Sequence, residues 1–195
     1  QDAFTFVHEI GHYYGSFNFG TSYALGETRS QGNELLFLTY LGTVLEPKEY
    51  EALRTYKLFE YIDIILMATI MDEFEETIYS LPDRREYTVE DFDNIMYEIV
   101  ESYGLAEDEK TCEYAEELWR NVGISYPIYY LNYGVSAMAA LNLYGLSRED
   151  YDAALEAYRI IQEEAVTDKD FVGTLEKAGV DSVFDEEAYI KLQRL

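Results

Sequence analysis

The chain has 195 residues, 48% of them apolar, which is enough to bury a sizeable core and excludes a disordered polymer. Its net charge of −25 argues against nucleic acid or an anionic membrane surface as partner, because both are polyanions. A lone cysteine, Cys112, excludes an intrachain disulfide framework and fits a reducing, cytoplasmic setting.

Long amphipathic segments dominate, prolines number three, and no Asn-Gly or Asp-Gly hairpin signal occurs, so the expected class is all-α. A first helix is expected over residues 2–17, with Phe6, Ile10, Tyr13 and Phe17 as its core stripe. It carries Val7-His8-Glu9-Ile10-Gly11-His12, an H-E-x-x-H pattern. Residues four apart on a helix lie one above the other, so His8 and His12 can present two imidazoles to one ion. Glu9 stands beside them as a base for a water on that ion. Gly11 costs helix stability, which suggests that another backbone or a ligand approaches there.

A loop over residues 15–21 reverses the chain, and a second helix is expected over residues 22–45. Glu27, Gln31 and Glu34 recur on one of its faces, which a crossing helix would set beside the histidines. Pro47 opens a long helix to about Ser80. Its most apolar run, residues 58–71, is interrupted by Glu60 and Asp63 and is too short and too charged to cross a bilayer. Thr88 and Asp91 mark a helix start, with Gly104 as its stop. Further helices are expected over residues 107–121, from Tyr126-Pro127 to Leu143, from a Ser147 cap to Ala165, and over residues 168–178 and 185–195.

Three blocks in this order resemble the thimet oligopeptidase and oligoendopeptidase F family of zinc metallopeptidases. They are Phe-Val-His-Glu-Ile-Gly-His at 6–12, Glu-Thr-Arg-Ser-Gln-Gly-Asn-Glu-Leu-Leu at 27–36, and the tyrosine-rich stretch from Tyr126 to Leu141. The resemblance spans nearly the whole chain and implies a gluzincin-type site, in which His8, His12 and Glu27 hold one Zn2+ per chain. Glu9 would be the general base, and Tyr126, Tyr130 and Tyr133 would donate hydrogen bonds to the developing oxyanion. Glu34 and Gln31 are candidates to support the ligands from behind.

The implied fold is a multi-helix catalytic domain over residues 1–195, with the H-E-x-x-H helix packed on the helix of the third ligand. The implied activity is metalloendopeptidase cleavage of short peptides, with no nucleic acid or membrane partner. Gln1 already lies inside the motif-bearing helix, so the chain is expected to be the C-terminal portion of a longer peptidase. Its missing N-terminal half would supply the other wall of the substrate channel, and the isolated piece would be weak or inactive.

Two departures from the family stand out. Only 14 residues separate His12 from Glu27, a shorter connection than is usual, and the stretch from Trp119 to Tyr126 lacks the histidine common before the tyrosine block. They motivate an alternative, a catalytically inactive helical peptide-binding domain derived from the same fold. A di-iron carboxylate bundle is excluded, since it needs Glu-x-x-His on two helices and both histidines are spent in one motif.

Overall fold

The structure, a computed structural model, describes residues 3–16, 22–164, 170–193 and 195, and among these every regular element is helical. The helices are α1 (Ala3–Ser16), α2 (Tyr23–Leu41), α3 (Pro47–Ser80), α4 (Val89–Ser102), α5 (Glu109–Leu118), α6 (Leu131–Glu149), α7 (Tyr151–Glu164), α8 (Phe171–Ala178) and α9 (Glu186–Leu192). No helix among the described residues is long and apolar enough to cross a membrane. The chain forms two compact units, one of residues 1–63 and 135–195 and one of residues 64–134; α3 and α6 contribute to both.

The first unit is built around α2. Ser22 caps it by accepting a hydrogen bond from the Leu25 amide at 3.2 Å, which satisfies one of the donors left open at a helix start. Twelve of its residues are buried, five of them Glu27, Arg29, Ser30, Gln31 and Glu34. A helix this polar stays buried only if its neighbours supply partners. α7 supplies some: Tyr158 donates to the Arg29 carbonyl at 3.0 Å, and Arg29 donates to the Gln162 carbonyl at 3.1 Å. Tyr61 of α3 donates to the Gln31 carbonyl at 2.9 Å.

α1 lies against α2 at backbone distance. A Cβ built on Gly11 would stand 2.6 Å from Ser30 Cα and 2.9 Å from the Arg29 carbonyl oxygen, closer than any side chain tolerates. Gly11 is therefore the point where the second backbone arrives, as the sequence suggested. Asn33 of α2 reinforces the crossing by donating to the Val7 carbonyl at 2.8 Å.

The expected core stripe of α1 is corrected. Phe6 and Tyr13 are 67% and 61% exposed, Ile10 is half-buried, and Phe17 lies outside the described residues. The face that meets α2 carries Phe4, His8 and Gly11, at the same four-then-three spacing but rotated about the helix. Two stripes of equal period compete on α1, and the glycine decides between them because only it lets the backbones touch.

The second unit buries Met67, Ile70, Met71 and Phe74 of α3 against Met96, Ile99 and Val100 of α4 and Ala115, Leu118 and Trp119. Thr88 and Asp91 form the expected capping box at the start of α4, and Gly104, with φ of 73°, follows its end.

Several expected boundaries move. α2 ends at Leu41, and residues 42–45 continue as turns. α5 ends at Leu118 and passes into a single π-helical turn over Trp119–Gly123. Tyr126-Pro127 does not open a helix: Ile128 has φ of 61°, and α6 starts only at Leu131. α6 then runs through Gly145 and Ser147 to Glu149. Ser147 is no cap, because its hydroxyl donates back to the Tyr144 carbonyl at 2.7 Å. Asp150 takes that role instead, accepting from the Ala153 amide at 3.0 Å.

The crossing gives a direct test. Gly11→Ala should cost about 1–3 kcal/mol of stability, the usual penalty of overpacking. Gly26→Ala, also in a helix but with nothing within 4 Å of the added methyl, should be neutral or stabilising by up to about 1 kcal/mol. Urea unfolding followed by helical circular dichroism separates the two; equal midpoints would refute a backbone contact at Gly11.

Candidate metal centre

Once α1 and α2 touch at Gly11, the residues flanking the contact converge. His8 and His12, one turn apart on α1, approach each other through their Nε2 atoms at 3.0 Å. Glu27 Oε2, on the buried side of α2, stands 3.8 Å from His8 Nε2 and 3.6 Å from His12 Nε2. These three are a group of donors able to hold one metal ion among the described residues. Their atoms lie on a circle of about 2.0 Å radius, close to the metal–ligand distance of zinc bound by imidazole or carboxylate.

The donor chemistry fits such an ion. His8 Nδ1 lies 2.7 Å from Glu34 Oε1, and the carboxylate accepts the proton there, so in the neutral ring Nε2 carries only its lone pair. Two imidazole nitrogens 3.0 Å apart need a hydrogen or a metal ion between them, and the Glu27 carboxylate beside them favours a positive charge there. The surroundings are set for it. Burial lowers the His8 pKa and is the largest single influence, yet the Glu34 hydrogen bond and the charges of Glu34, Glu27 and Glu9 together raise it above its usual value. Ser30 adds a hydrogen bond to Glu27 Oε2 at 3.3 Å and holds the carboxylate from the helix side.

Behind Glu34 stands a residue that the sequence reading missed. Lys57 of α3 is buried and donates from Nζ to Glu34 Oε2 at 3.0 Å. It also pairs with Glu60 Oε2 at 2.9 Å and lies 4.4 Å from the centre of the Phe4 ring. Burial works against its charge first, but Glu60 and Glu34 outweigh it and keep the ammonium more basic than usual. A signal existed: Lys57 begins a stripe with Tyr61, Ile64, Ala68 and Met71 at helical spacing, a cation where an apolar residue is expected.

The other sequence candidates are placed as follows. Glu9 is exposed on the face of α1 that carries Phe6, Ile10, His12 and Tyr13. Gln31 is buried, but its Oε1 has no hydrogen-bond partner among the described residues, and nothing links its side chain to a ligand. Tyr126, Tyr130 and Tyr133 belong to the second unit. Tyr130 and Tyr133 stand with ring centres 5.4 Å apart, on one side as expected. Tyr130 reaches the Tyr114 hydroxyl at 3.1 Å; burial first and this hydrogen bond second push its phenol far above the ordinary range, so it stays a donor. Tyr126 is exposed. The sequence reading passed over Tyr129, whose hydroxyl lies 3.2 Å from that of Tyr133 and whose ring also touches Tyr126; its four-residue spacing from Tyr133 was the available clue.

The turn that carries these tyrosines is held from α3. Glu75 Oε1 accepts the Ile128 amide at 2.8 Å, anchoring the one described non-glycine residue with positive φ. The second oxygen, Oε2, is buried without a partner among the described residues.

No protein-family model matches the chain, and no curated protein matches it. Solved structures do, and they are peptidases. A protein described as an oligoendopeptidase F superposes with a TM-score of 0.79 at 18% identity, over 97% of this chain and 35% of its own. PZ peptidase A, solved with an inhibitor, gives a TM-score of 0.78 at 17% identity, over 98% of this chain and 35% of its own. The chain therefore has the helical fold of a portion of these peptidases and spans about a third of their length.

Glu75 yields a pH-dependent expectation. Burial, with a smaller push from Asp72, raises its pKa despite the Ile128 amide. The folded protein thus binds a proton that the unfolded chain releases, and stability falls as pH rises through the ordinary glutamate range. Glu75→Gln removes that penalty. Its melting temperature should exceed the wild-type value at pH 7, and the gap should close as pH falls to about 4. A gap independent of pH, measured by thermal scans across the range, would count against a raised Glu75 pKa.

Proposed function

We propose that the chain is the catalytic portion of a zinc-dependent endopeptidase that hydrolyses short peptides. The observation that carries this reading is the convergence of His8 Nε2, His12 Nε2 and Glu27 Oε2 on one ion-sized position. The peptidase fold of its structural neighbours supports the class. Two imidazoles and one carboxylate are the three-residue donor set of a hydrolytic zinc site, whereas a closed structural site would need four protein ligands.

Zinc held there would supply a Lewis acid and would lower the pKa of a water toward neutrality. The chain's own residues do the rest. Glu34 keeps the His8 proton on Nδ1 and leaves Nε2 free to ligate. Glu9, exposed on α1, takes the proton from the attacking water and passes it to the leaving amine. Tyr126, Tyr130 and Tyr133 enter by resemblance as donors to the carbonyl oxygen as it gains charge; a neutral phenol suits this because it leaves no buried charge behind. In this reading further polypeptide would complete the substrate channel and restrict it to short, unfolded peptides; the neighbours are nearly three times as long as this chain.

Zinc content and peptide cleavage test the reading together. The protein should bind one zinc per chain, and chelation should lower its melting temperature. His8→Ala, His12→Ala and Glu27→Ala should each lose the metal. Glu9→Gln should keep it and, in the complete peptidase, lower kcat/KM for a quenched fluorescent peptide by about 100-fold or more. A folded protein that binds no zinc and is indifferent to these changes would favour a catalytically inactive peptide-binding domain.

A further inference from the structure

We infer that Lys57 is a positioning residue of the metal centre: it fixes Glu34 so that His8 presents Nε2, and it prevents Glu34 from becoming a ligand itself. The inference rests on the metal reading above and adds a residue that neither the motif nor the resemblance supplies.

Glu34 is buried, and its two oxygens are divided between two partners, Oε1 to His8 Nδ1 at 2.7 Å and Oε2 to Lys57 Nζ at 3.0 Å. A carboxylate next to a dication has a competing option, because it can turn and coordinate through either oxygen. Engaging Oε2 with an ammonium closes that option and leaves Oε1 directed at the imidazole. The proton on Nδ1 is then held, and the Nε2 lone pair points at His12 and Glu27.

The ammonium is itself confined. Glu34, Glu60 Oε2 at 2.9 Å and the face of Phe4 at 4.4 Å surround it, so its position is set by α1, α2 and α3 together. Lys57 also compensates charge: without it Glu34 and Glu60 would sit close together as unscreened carboxylates beside the site. A lysine serving stability alone would need no connection to the ligand shell. This one reaches His8 through a single carboxylate.

The test is zinc affinity, measured with zinc alone by competition with a chromogenic chelator, on the wild type, Lys57→Met, Glu34→Gln, the double variant and Lys57→Arg. Lys57→Met should weaken zinc binding by about 10- to 100-fold, the range usual for residues that orient a ligand. Glu34→Gln should cost a similar factor, and the double variant no more than the worse single one, because the two act in series. Lys57→Arg, which keeps the charge, should recover most of the affinity. If Lys57→Met loses its helical circular dichroism, Lys57→Gln compared with Lys57→Arg decides, and the glutamine should bind more weakly.

Unchanged affinity in Lys57→Met or Lys57→Gln, with only the melting temperature of the zinc-free protein lowered, would overturn the inference. Losses that multiply in the double variant would overturn it too. A wild type that binds no zinc, or a His8→Ala that binds it equally well, would instead bring down the metal reading and this inference with it.

Discussion

The site depends on two helix backbones touching. Gly11 permits a separation at which a methyl group would sit 2.6 Å from Ser30 Cα, and that contact sets the depth of α1 in the groove of α2. His8 lies three residues before the contact and His12 one after it, while Glu27 precedes Ser30 by three. The donor atoms are thus all within one helical turn of the crossing point, where small errors in helix position have the least leverage. Metal-sized spacing follows from the packing of the backbone and needs no long, adjustable side chain.

α2 is the second organising element, and it inverts the usual rule for a central helix. Most central helices are apolar all round; this one carries glutamates, an arginine, a glutamine and hydroxyl residues into the interior. Thr28 and Ser30 return their hydroxyls to the helix's own carbonyls, at 2.7 Å and 3.0 Å, while Tyr61 and Tyr158 arrive from α3 and α7 to meet the Gln31 and Arg29 carbonyls and Lys57 of α3 meets the Glu34 carboxylate. Of those surrounding residues only Lys57, a cation heading an apolar stripe, stands out in sequence. Their polar ends are legible only once it is known which groups on α2 they answer.

This explains what could be read in advance. The helical class, the start of α3 at Pro47 and the Thr88–Asp91 box are local properties, and the sequence carries them openly. The H-E-x-x-H turn is also local, and its four-residue spacing sets the two imidazoles side by side. The facing side of α1 was misjudged because two stripes have the same period, and only the steric demand of Gly11 distinguishes them. The turn before α6 was misjudged because proline at a helix start is a frequent signal, whereas the positive φ of Ile128 is held by Glu75, 53 residues away. Lys57 escaped notice for the same reason: its partner Glu34 is 23 residues distant.

The rejected stripe on α1 has a physical consequence of its own. Phe6 and Tyr13 of that stripe, with Tyr14 next to them, are exposed, in a chain whose net charge is −25. Greasy aromatic surface draws molecules together, and uniform negative charge drives them apart. The balance between the two is governed by counterions: the screening length falls from about 30 Å at 0.01 M ionic strength to about 3 Å at 1 M. In dilute buffer electrostatic repulsion keeps this face from meeting its like; concentrated salt removes that protection while leaving the aromatic attraction intact. For the chain by itself, ionic strength therefore governs how strongly two such faces repel.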